Sequence, residues 1–165
     1  MVAKRILGID PGLNITGYGL LDRDRSHPKL REAGVVRGGS DRQLTKRIAS
    51  IYRGIAELIQ IYHPDVVAVE ELYSHYKRPR TAILMGHARG VICLAAAQED
   101  IPIVHYSATQ VKKLLTGNGH APKTQMQSAI RRELALSQTP EPADVADALA
   151  IALCHYYLAN DKIPA

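Results

Sequence analysis

The chain has 165 residues, of which 46% are apolar and 22% are charged, so it is long enough to bury the core of one domain. Its two cysteines exclude a disulfide or zinc framework, and its longest apolar run, VICLAAA, is far too short to cross a bilayer. The formal charge of +5 suits a polyanionic partner, but a basic protein without such a partner would carry the same charge.

Three short strands are predicted at the start of the chain, over residues 4–10, 17–22 and about 30–37. The connections between them, PGLN and RDRSHPK, are rich in turn-forming residues. Such short connections are compatible with hairpins and not with crossovers. We therefore expect an antiparallel meander.

A helix and a fourth strand follow the meander. The helix is predicted from Asp41, a suitable cap, to Tyr62, because Leu and Ile recur between them at helical spacing, and Pro64 ends it. The segment VVAVEE, residues 66–71, has the composition of a buried strand. A helical crossover brings the chain back parallel to an earlier strand, and the first strand is its natural neighbour.

The rest of the chain is predicted to be mostly helical. The predicted helices span residues 79–99, 108–115, 123–136 and 142–158, and IPIVHY is a fifth strand. The predicted fold class is α/β, with a five-stranded mixed sheet flanked by helices in a single domain over residues 1–165.

Four acids lie in otherwise apolar segments, where an unpaired charge is costly. Asp10 and Glu70 close predicted strands, while Asp144 and Asp147 lie three residues apart on one face of the last helix. If the two strands are neighbours, Asp10 and Glu70 lie about 4.8 Å apart in strand spacing at one sheet edge. Open α/β sheets place their functional sites at that edge.

These acids predict a divalent-metal site, since two bare carboxylates at about 4 Å repel by roughly 4 kcal/mol at an effective dielectric constant near 20. Carboxylates can hold two Mg²⁺ ions for phosphodiester hydrolysis. Each acid also has a separate structural explanation. Asp10 could form a turn, and Glu70 could form an ion pair at the end of a strand. Asp144 and Asp147 could interact with the dipole of the last helix. With the four acids assigned to metal, 21 basic residues face 12 acidic ones, which favours a polyanion.

The strand spacing leaves a choice between Glu70 and Glu71. Alternate strand residues face opposite sides of a sheet, so one of these two glutamates points toward the site. The spacing alone does not decide which.

The sequence blocks GIDPG, TGYG, VAVEELY, GHARGV, QVKKLLTGNGHAPKTQ and PADVADALAIA occur in that order. Together they resemble the RuvC family of bacterial Holliday junction resolvases over residues 4–156. The resemblance implies an RNase H-like fold, a homodimer, and paired symmetric nicks in four-way junction DNA. It also implies two Mg²⁺ ions per active site, with Mn²⁺ as a substitute, and the branch-migration proteins RuvA and RuvB as partners.

By position in the motifs, the catalytic and metal-binding acids implied by the resemblance are Asp10, Glu70, Asp144 and Asp147. Glu70 is thereby favoured over Glu71, which stands where relatives often have an amide.

The DNA contacts implied or suggested at this stage lie in two regions. Lys112 and Lys123 flank the TGNGHAP loop and match lysines that serve the scissile phosphate in the family; a solvated helix face is the alternative. The other region is the loop after the fourth strand, where Tyr73 matches a family aromatic. Bases can stack on Tyr73 or Tyr76, although both could instead cover the core. The further DNA-binding candidates in this loop are Lys77, Arg78 and Arg80.

A stripe of small residues on the helix after Pro79 allows another helix to approach closely; its members are Ala82, Gly86, Gly90, Cys93 and Ala97. The partner could be the protein's own sheet. A four-way junction has two-fold symmetry, however, so we expect a homodimer through this helix. His87 and Arg89 receive no catalytic role.

The two cysteines lie in apolar helical patterns, which predicts buried thiols in a reducing compartment. The first apolar run is interrupted by Asp10 and is too short for a signal peptide. We expect a cytoplasmic protein with no membrane partner.

Two other function classes compete with a nuclease. Actin-like ATPases and sugar kinases also use a phosphate turn like GIDPG, but they need a second subdomain and a second phosphate loop. A non-catalytic DNA-binding scaffold would use the basic loop and have no need of four acids.

Overall fold

The computed structural model describes residues 3–24, 26–72 and 78–160. Its strands are β1 (Arg5–Asp10), β2 (Ile15–Arg23), β3 (Pro28–Arg37), β4 (Val66–Glu70) and β5 (Ile103–Tyr106). Its helices are α1 (Leu44–Tyr62), α2 (Pro79–Gln98), α3 (Ala108–Thr116), α4 (Lys123–Glu133) and α5 (Ala143–Asn160).

The five strands form one mixed sheet in the order β3-β2-β1-β4-β5. Strands β1, β2 and β3 pair antiparallel, while β4 pairs parallel with β1 and β5 pairs parallel with β4. The predicted meander and the predicted pairing of β4 with β1 are both confirmed. The helical connections before β4 and β5 supply the length that parallel pairing requires.

Helices cover both faces of the sheet, and alternate residues of β1 and β4 serve opposite faces. Leu7, Ile9, Val67 and Val69 are buried in a cluster with side chains of α1 and α2. Ile6, Val66 and Ala68 belong to the other cluster, with side chains of α3, α4 and α5. A strand buried on both sides needs such continuous apolar runs.

Two predicted helix ends are wrong. Helix α1 begins after Gln43, not after Asp41, whose carboxylate accepts a hydrogen bond from the backbone N–H of Gln43 at 2.8 Å. That bond closes a turn before the helix. Helix α4 ends at Glu133, because Ala135 adopts the left-handed conformation with φ 51° and the N–H of Leu136 bonds the carbonyl of Arg131.

Cys154 is buried as predicted, whereas Cys93 is only half-buried, and both are free thiols. Within the described ranges, no helix has the length and apolar character that a membrane crossing would demand.

Candidate functional site

Asp10 and Glu70 lie at adjacent strand ends on the sheet face covered by α5. Ile9 pairs with Val69, and each is followed by one of the two acids. Ile9 and Val69 face α1 and α2, so the strand alternation directs the next side chain on each strand to the opposite face. Glu71 is exposed beyond the end of β4. Its position on the α5 face of the sheet therefore favours Glu70 over Glu71 as the candidate site residue.

The first turns of α5 lie over this edge because two glycines let the helix approach the sheet. Gly17 pairs with Asp10, and a Cβ atom on Gly17 would lie 2.0 Å from the carbonyl oxygen of Asp144. A Cβ atom on Gly8 would lie 2.3 Å from the carbonyl oxygen of Ala148. No side chain fits in either position. Glycine at these two positions therefore brings the helix acids to the strand acids.

The turn after Asp10 is closed by a side chain that the sequence reasoning did not single out. Thr16 is fully buried. Its hydroxyl donates to the carbonyl of Gly12 at 2.8 Å and accepts from the N–H of Gly12 at 3.2 Å. This reciprocal pair fixes the path of the chain immediately after the acid.

The pKa of Asp10 reports the convergence of the four acids. Burial, as the largest cause, and the negative charges of Glu70, Asp147 and Asp144 together raise it from 3.8 to about 8. All three segments of the chain therefore bring charge close enough to act on Asp10. Burial and mutual repulsion both disfavour the ionised cluster.

Glu70 and Asp147 are partly compensated by cations. Burial and Asp147 raise the pKa of Glu70, whereas Lys112 and Arg89 lower it. Desolvation by the surrounding protein raises the pKa of Asp147, although its side chain still reaches solvent, and Asp144 raises it further. Lys123 and Lys112 act in the opposite direction. The cluster is therefore acidic at its centre and basic at one side.

A cleft of about 310 Å³ connects the acids to the two lysines. Its lining includes Glu70 and Asp147 together with Lys112 and Lys123. Apolar residues such as Ile130 and Ala150 also line it. Among the residues that the structure describes, no three His, Cys, Asp or Glu side chains stand as a ready cage for one metal ion. The acids share a site without preset coordination.

The predicted DNA-binding residues fall into three groups. Lys112 is half-buried in the cleft and Lys123, at the start of α4, is exposed beside it. Arg78 and Arg80 are exposed at the start of α2. Tyr73 and Lys77 lie outside the described residues, as does Tyr76.

Arg89 was given no role by sequence reasoning, yet it reaches the site. Its Nη1 donates a hydrogen bond to the backbone carbonyl of Glu70, and its Nη2 lies 2.9 Å from Nδ1 of His105 on β5. The GHARGV block contained this arginine, but nothing in the block indicated which strand its side chain would meet.

The predicted stripe on α2 is partly exposed. Among the described residues, no atom lies within 4 Å of a Cβ atom placed on Gly86 or Gly90. Ile83 and Leu94, on the same side of the helix, are 63% and 50% exposed. The stripe therefore does not pack on the protein's own sheet at Gly86 and Gly90.

Comparison with known proteins gives consistent results. Residues 6–155 match the family model described as crossover junction endodeoxyribonuclease RuvC. The protein of that name from Rhodopirellula baltica is 55% identical over 161 residues, covering 98% of this chain and 90% of its own. The protein of the same name from Caldicellulosiruptor saccharolyticus is 44% identical, and the match covers 92% of this chain and 91% of that protein.

Solved structures agree on the architecture. The RuvC of T. thermophilus in complex with Holliday junction substrate matches with a TM-score of 0.90 and 33% identity, covering 96% of each chain. The yeast mitochondrial Holliday junction resolvase Ydc2, at 14% identity and a TM-score of 0.64, shares the fold. The mixed sheet and its helices form the RNase H-like nuclease fold that the sequence predicted. With more than half of its length matched by the family model and a relative at 55% identity, this chain belongs to the RuvC family of crossover junction endodeoxyribonucleases.

Proposed function

We propose that this chain is an endonuclease that resolves four-way (Holliday) DNA junctions by paired symmetric nicks, in recombination and repair. A family relative of the same fold has been solved with a Holliday junction substrate. The observation that carries the proposal is the meeting of four acids from β1, β4 and α5, where burial and the charges of the other three acids raise the pKa of Asp10 to about 8. Folding alone does not favour such a cluster.

The proposed cofactor is Mg²⁺, two ions per active site, with Mn²⁺ as a substitute. The residues that would hold it are Asp10, Glu70, Asp144 and Asp147. Carboxylate oxygens suit hard cations, and a cluster whose charges oppose one another's ionisation gains most from a divalent ion. When bound, Mg²⁺ supplies an activated water and polarises the scissile phosphate.

The remaining contacts of the substrate are assigned to cations at the cleft and at the start of α2. Lys112 and Lys123 line the same cleft as Glu70 and Asp147, where their ammonium groups would hold the phosphate beside the bond to be cut. Tyr73 is assigned to stacking on a base, and Lys77, Arg78 and Arg80 to the phosphates of the junction. Phosphate contacts of this kind give affinity and register without reading base sequence.

The proposed assembly is a homodimer through the exposed face of α2. Ile83, Gly86, Gly90 and Leu94 lie three or four residues apart and so share one side of the helix. Exposed large apolar side chains beside open glycines suit a second helix at short distance. Two active sites related by a two-fold axis would match the symmetry of the junction.

We further propose that the chain acts as a single nuclease domain in the cytoplasm, where free thiols such as Cys93 and Cys154 persist. Its proposed partners besides DNA are RuvA and RuvB, on the ground of family membership.

The test compares Asp10→Asn with the wild type on a synthetic four-way junction. We expect Asp10→Asn to lower Mg²⁺-dependent cleavage by at least about a thousandfold, because a residue that acts as part of a catalytic unit has an effect of that order. Junction binding in metal-free buffer should persist. Nicks mapped to single nucleotides should be symmetric. Cleavage at the wild-type rate would overturn the proposal.

Glu71→Gln is the matched control for Glu70→Gln. The two glutamates are adjacent, but Glu70 lies on the α5 face and Glu71 is exposed. Cleavage should be lost in the first variant and retained in the second. A greater loss with Glu71→Gln would show that the wrong glutamate is assigned.

A further inference from the structure

Arg89 reaches the C-terminal edge of the sheet from the face opposite the acids. It lies on α2 next to Ala88, which is buried in the α1/α2 cluster. Its guanidinium bonds the backbone carbonyl of Glu70 and the ring of His105. One side chain therefore connects α2, the last residue of β4 and the edge strand β5.

The donors of arginine determine the chemistry of this contact. A guanidinium has N–H donors and no acceptor, so Nδ1 of His105 must accept and the ring proton lies on Nε2. The two bonds leave from separate nitrogens of a planar group, which fixes the carbonyl and the imidazole relative to each other. A lysine ammonium at the end of a flexible chain has no such geometry.

The carbonyl of Glu70 lies at the carboxyl end of β4, just past Ile9 and Val69, the last described residue pair of β1 and β4. On one side, Asp10 is the last residue of β1 and Pro11 follows, which has no N–H. On the other side, the carbonyl of Tyr106 on β5 accepts from the N–H of Glu71 at 2.8 Å. Arg89 supplies a donor at this end of β4.

We propose that Arg89 is a positioning residue that fixes the carboxyl end of β4, with His105 as its support, and so aims the Glu70 carboxylate at the acidic cluster. This inference rests on the proposed function of the cluster. Because Arg89 touches the backbone of Glu70 and none of the reacting atoms, it acts through Glu70. The positive charge is a second contribution, since Arg89 also lowers the pKa of Glu70.

The first experiment separates geometry from charge with Arg89→Met and Arg89→Lys. Both are assayed for the Mg²⁺ concentration that gives half-maximal junction cleavage. Loss of a group that orients a metal ligand weakens metal affinity by about 10- to 100-fold, so we expect Arg89→Met to raise this concentration at least about tenfold. Arg89→Lys should reverse less than half of this change, measured as the logarithm of the Mg²⁺ concentration for half-maximal cleavage. Full rescue by Arg89→Lys would overturn positioning in favour of charge alone.

A second readout does not use activity. Saturating Mg²⁺ should raise the melting temperature of the wild type through binding linkage, and Arg89→Met should reduce that rise. In a Glu70→Gln background, Arg89→Met should reduce it no further, because Arg89 acts through Glu70. Additive losses in the double variant would overturn the proposal, as would an unchanged Mg²⁺ response in Arg89→Met.

The controls separate a failure of this inference from a failure of the proposed function. Arg31→Met removes an exposed arginine from β3, at the sheet edge opposite β5, and should leave the Mg²⁺ dependence unchanged. His105→Asn keeps an acceptor near Nδ1 and should preserve that dependence better than His105→Leu. If Asp10→Asn cleaves normally, the proposed function fails; if Asp10→Asn is inactive and Arg89→Met responds to Mg²⁺ like the wild type, this inference alone fails.

Discussion

The two faces of the sheet use the same strands for opposite purposes. Toward α1 and α2, β1 and β4 present large apolar side chains such as Ile9 and Val69, which are fully buried. Toward α5 the side chains of β1 run from Ile6 through Gly8 to Asp10, and those of β4 from Val66 through Ala68 to Glu70. The α1/α2 face stabilises the fold by apolar burial, whereas the α5 face ends in buried charge that opposes folding.

The difference shows how a functional edge is built into a stable sheet. Gly8 and Ala68 leave room for α5, and the close approach of that helix brings Asp144 and Asp147 to the strand acids. The α1/α2 face needs no such approach, because its side chains fill the space between sheet and helices. Stability is therefore expected to depend most on one face, and activity on the spacing and charge of the other.

The largest combined loss of stability and cleavage is expected from closing the space under α5. In Gly8→Ala the new methyl group would meet the carbonyl of Ala148 at 2.3 Å, so the helix must shift. We expect a loss of roughly 3 kcal/mol in the free energy of unfolding, or about 6 to 12 °C in Tm. Cleavage should fall about a hundredfold, since small misplacements of reacting groups have effects of that size.

Gly86→Ala is the matched control within one protomer, because a methyl group there meets nothing within 4 Å among the described residues. Since Gly86 lies on the proposed dimer face, both variants are compared at protein concentrations low enough to keep the chain monomeric. In a helix this change should raise stability by about 0.5 to 1 kcal/mol. Thermal unfolding measures both variants. Equal destabilisation by the two would mean that the close approach of α5 to β1 is not what requires Gly8.

The next effect in size is a gain in the free energy of unfolding when Asp10 is replaced by Asn. The folded protein holds the Asp10 proton up to about pH 8, whereas its ordinary value is 3.8. The folded state therefore binds more protons than the unfolded state between these values, and the free energy of unfolding falls as pH rises through that window. Asp10→Asn should remove this fall and stabilise the metal-free protein at pH 8 by roughly 2 kcal/mol.

Denaturant unfolding at pH 5 and pH 8 without divalent ions measures this effect. Ile55→Ala, a fully buried change in the α1/α2 cluster, should act in the opposite direction and lose about 2 to 5 kcal/mol at both pH values. If Asp10→Asn were as destabilising as Ile55→Ala, the acid would be serving the fold and not the site.

Sequence reasoning found the sheet and the acids because both follow from local pattern. Short loops predicted the meander, and a helical crossover predicted the β1–β4 pairing. Apolar runs interrupted at their ends marked Asp10 and the neighbours Glu70 and Glu71, between which only the family resemblance chose. The contacts of Thr16 and Arg89 were out of reach, since each depends on which element the side chain meets after folding. The shift of the α1 start from Asp41 to Leu44 has the same origin, because several residues before that helix can close a turn.

The smallest effect on cleavage should come from replacing Lys112, a lysine that lines the cleft. Lys112 lines the cleft with Glu70 and Asp147 and lowers the pKa of both. Lys112→Met should therefore raise those pKa values and move the rising limb of the cleavage–pH profile to higher pH. Loss of its proposed contact with phosphate should also slow cleavage about tenfold, or roughly 1.4 kcal/mol.

Lys113→Met is the control for Lys112→Met, because the two lysines are adjacent on α3 and Lys113 is exposed. Lys113→Met should leave the position of the pH profile unchanged. If the general loss of positive charge were the cause, both variants would shift the profile equally. Rates measured from pH 5 to pH 9, at saturating Mg²⁺ and two salt concentrations, separate these cases. A shift of the profile in both variants would assign the effect to the net charge of the surface, and a shift in neither would remove Lys112 from the electrostatics of the acidic edge.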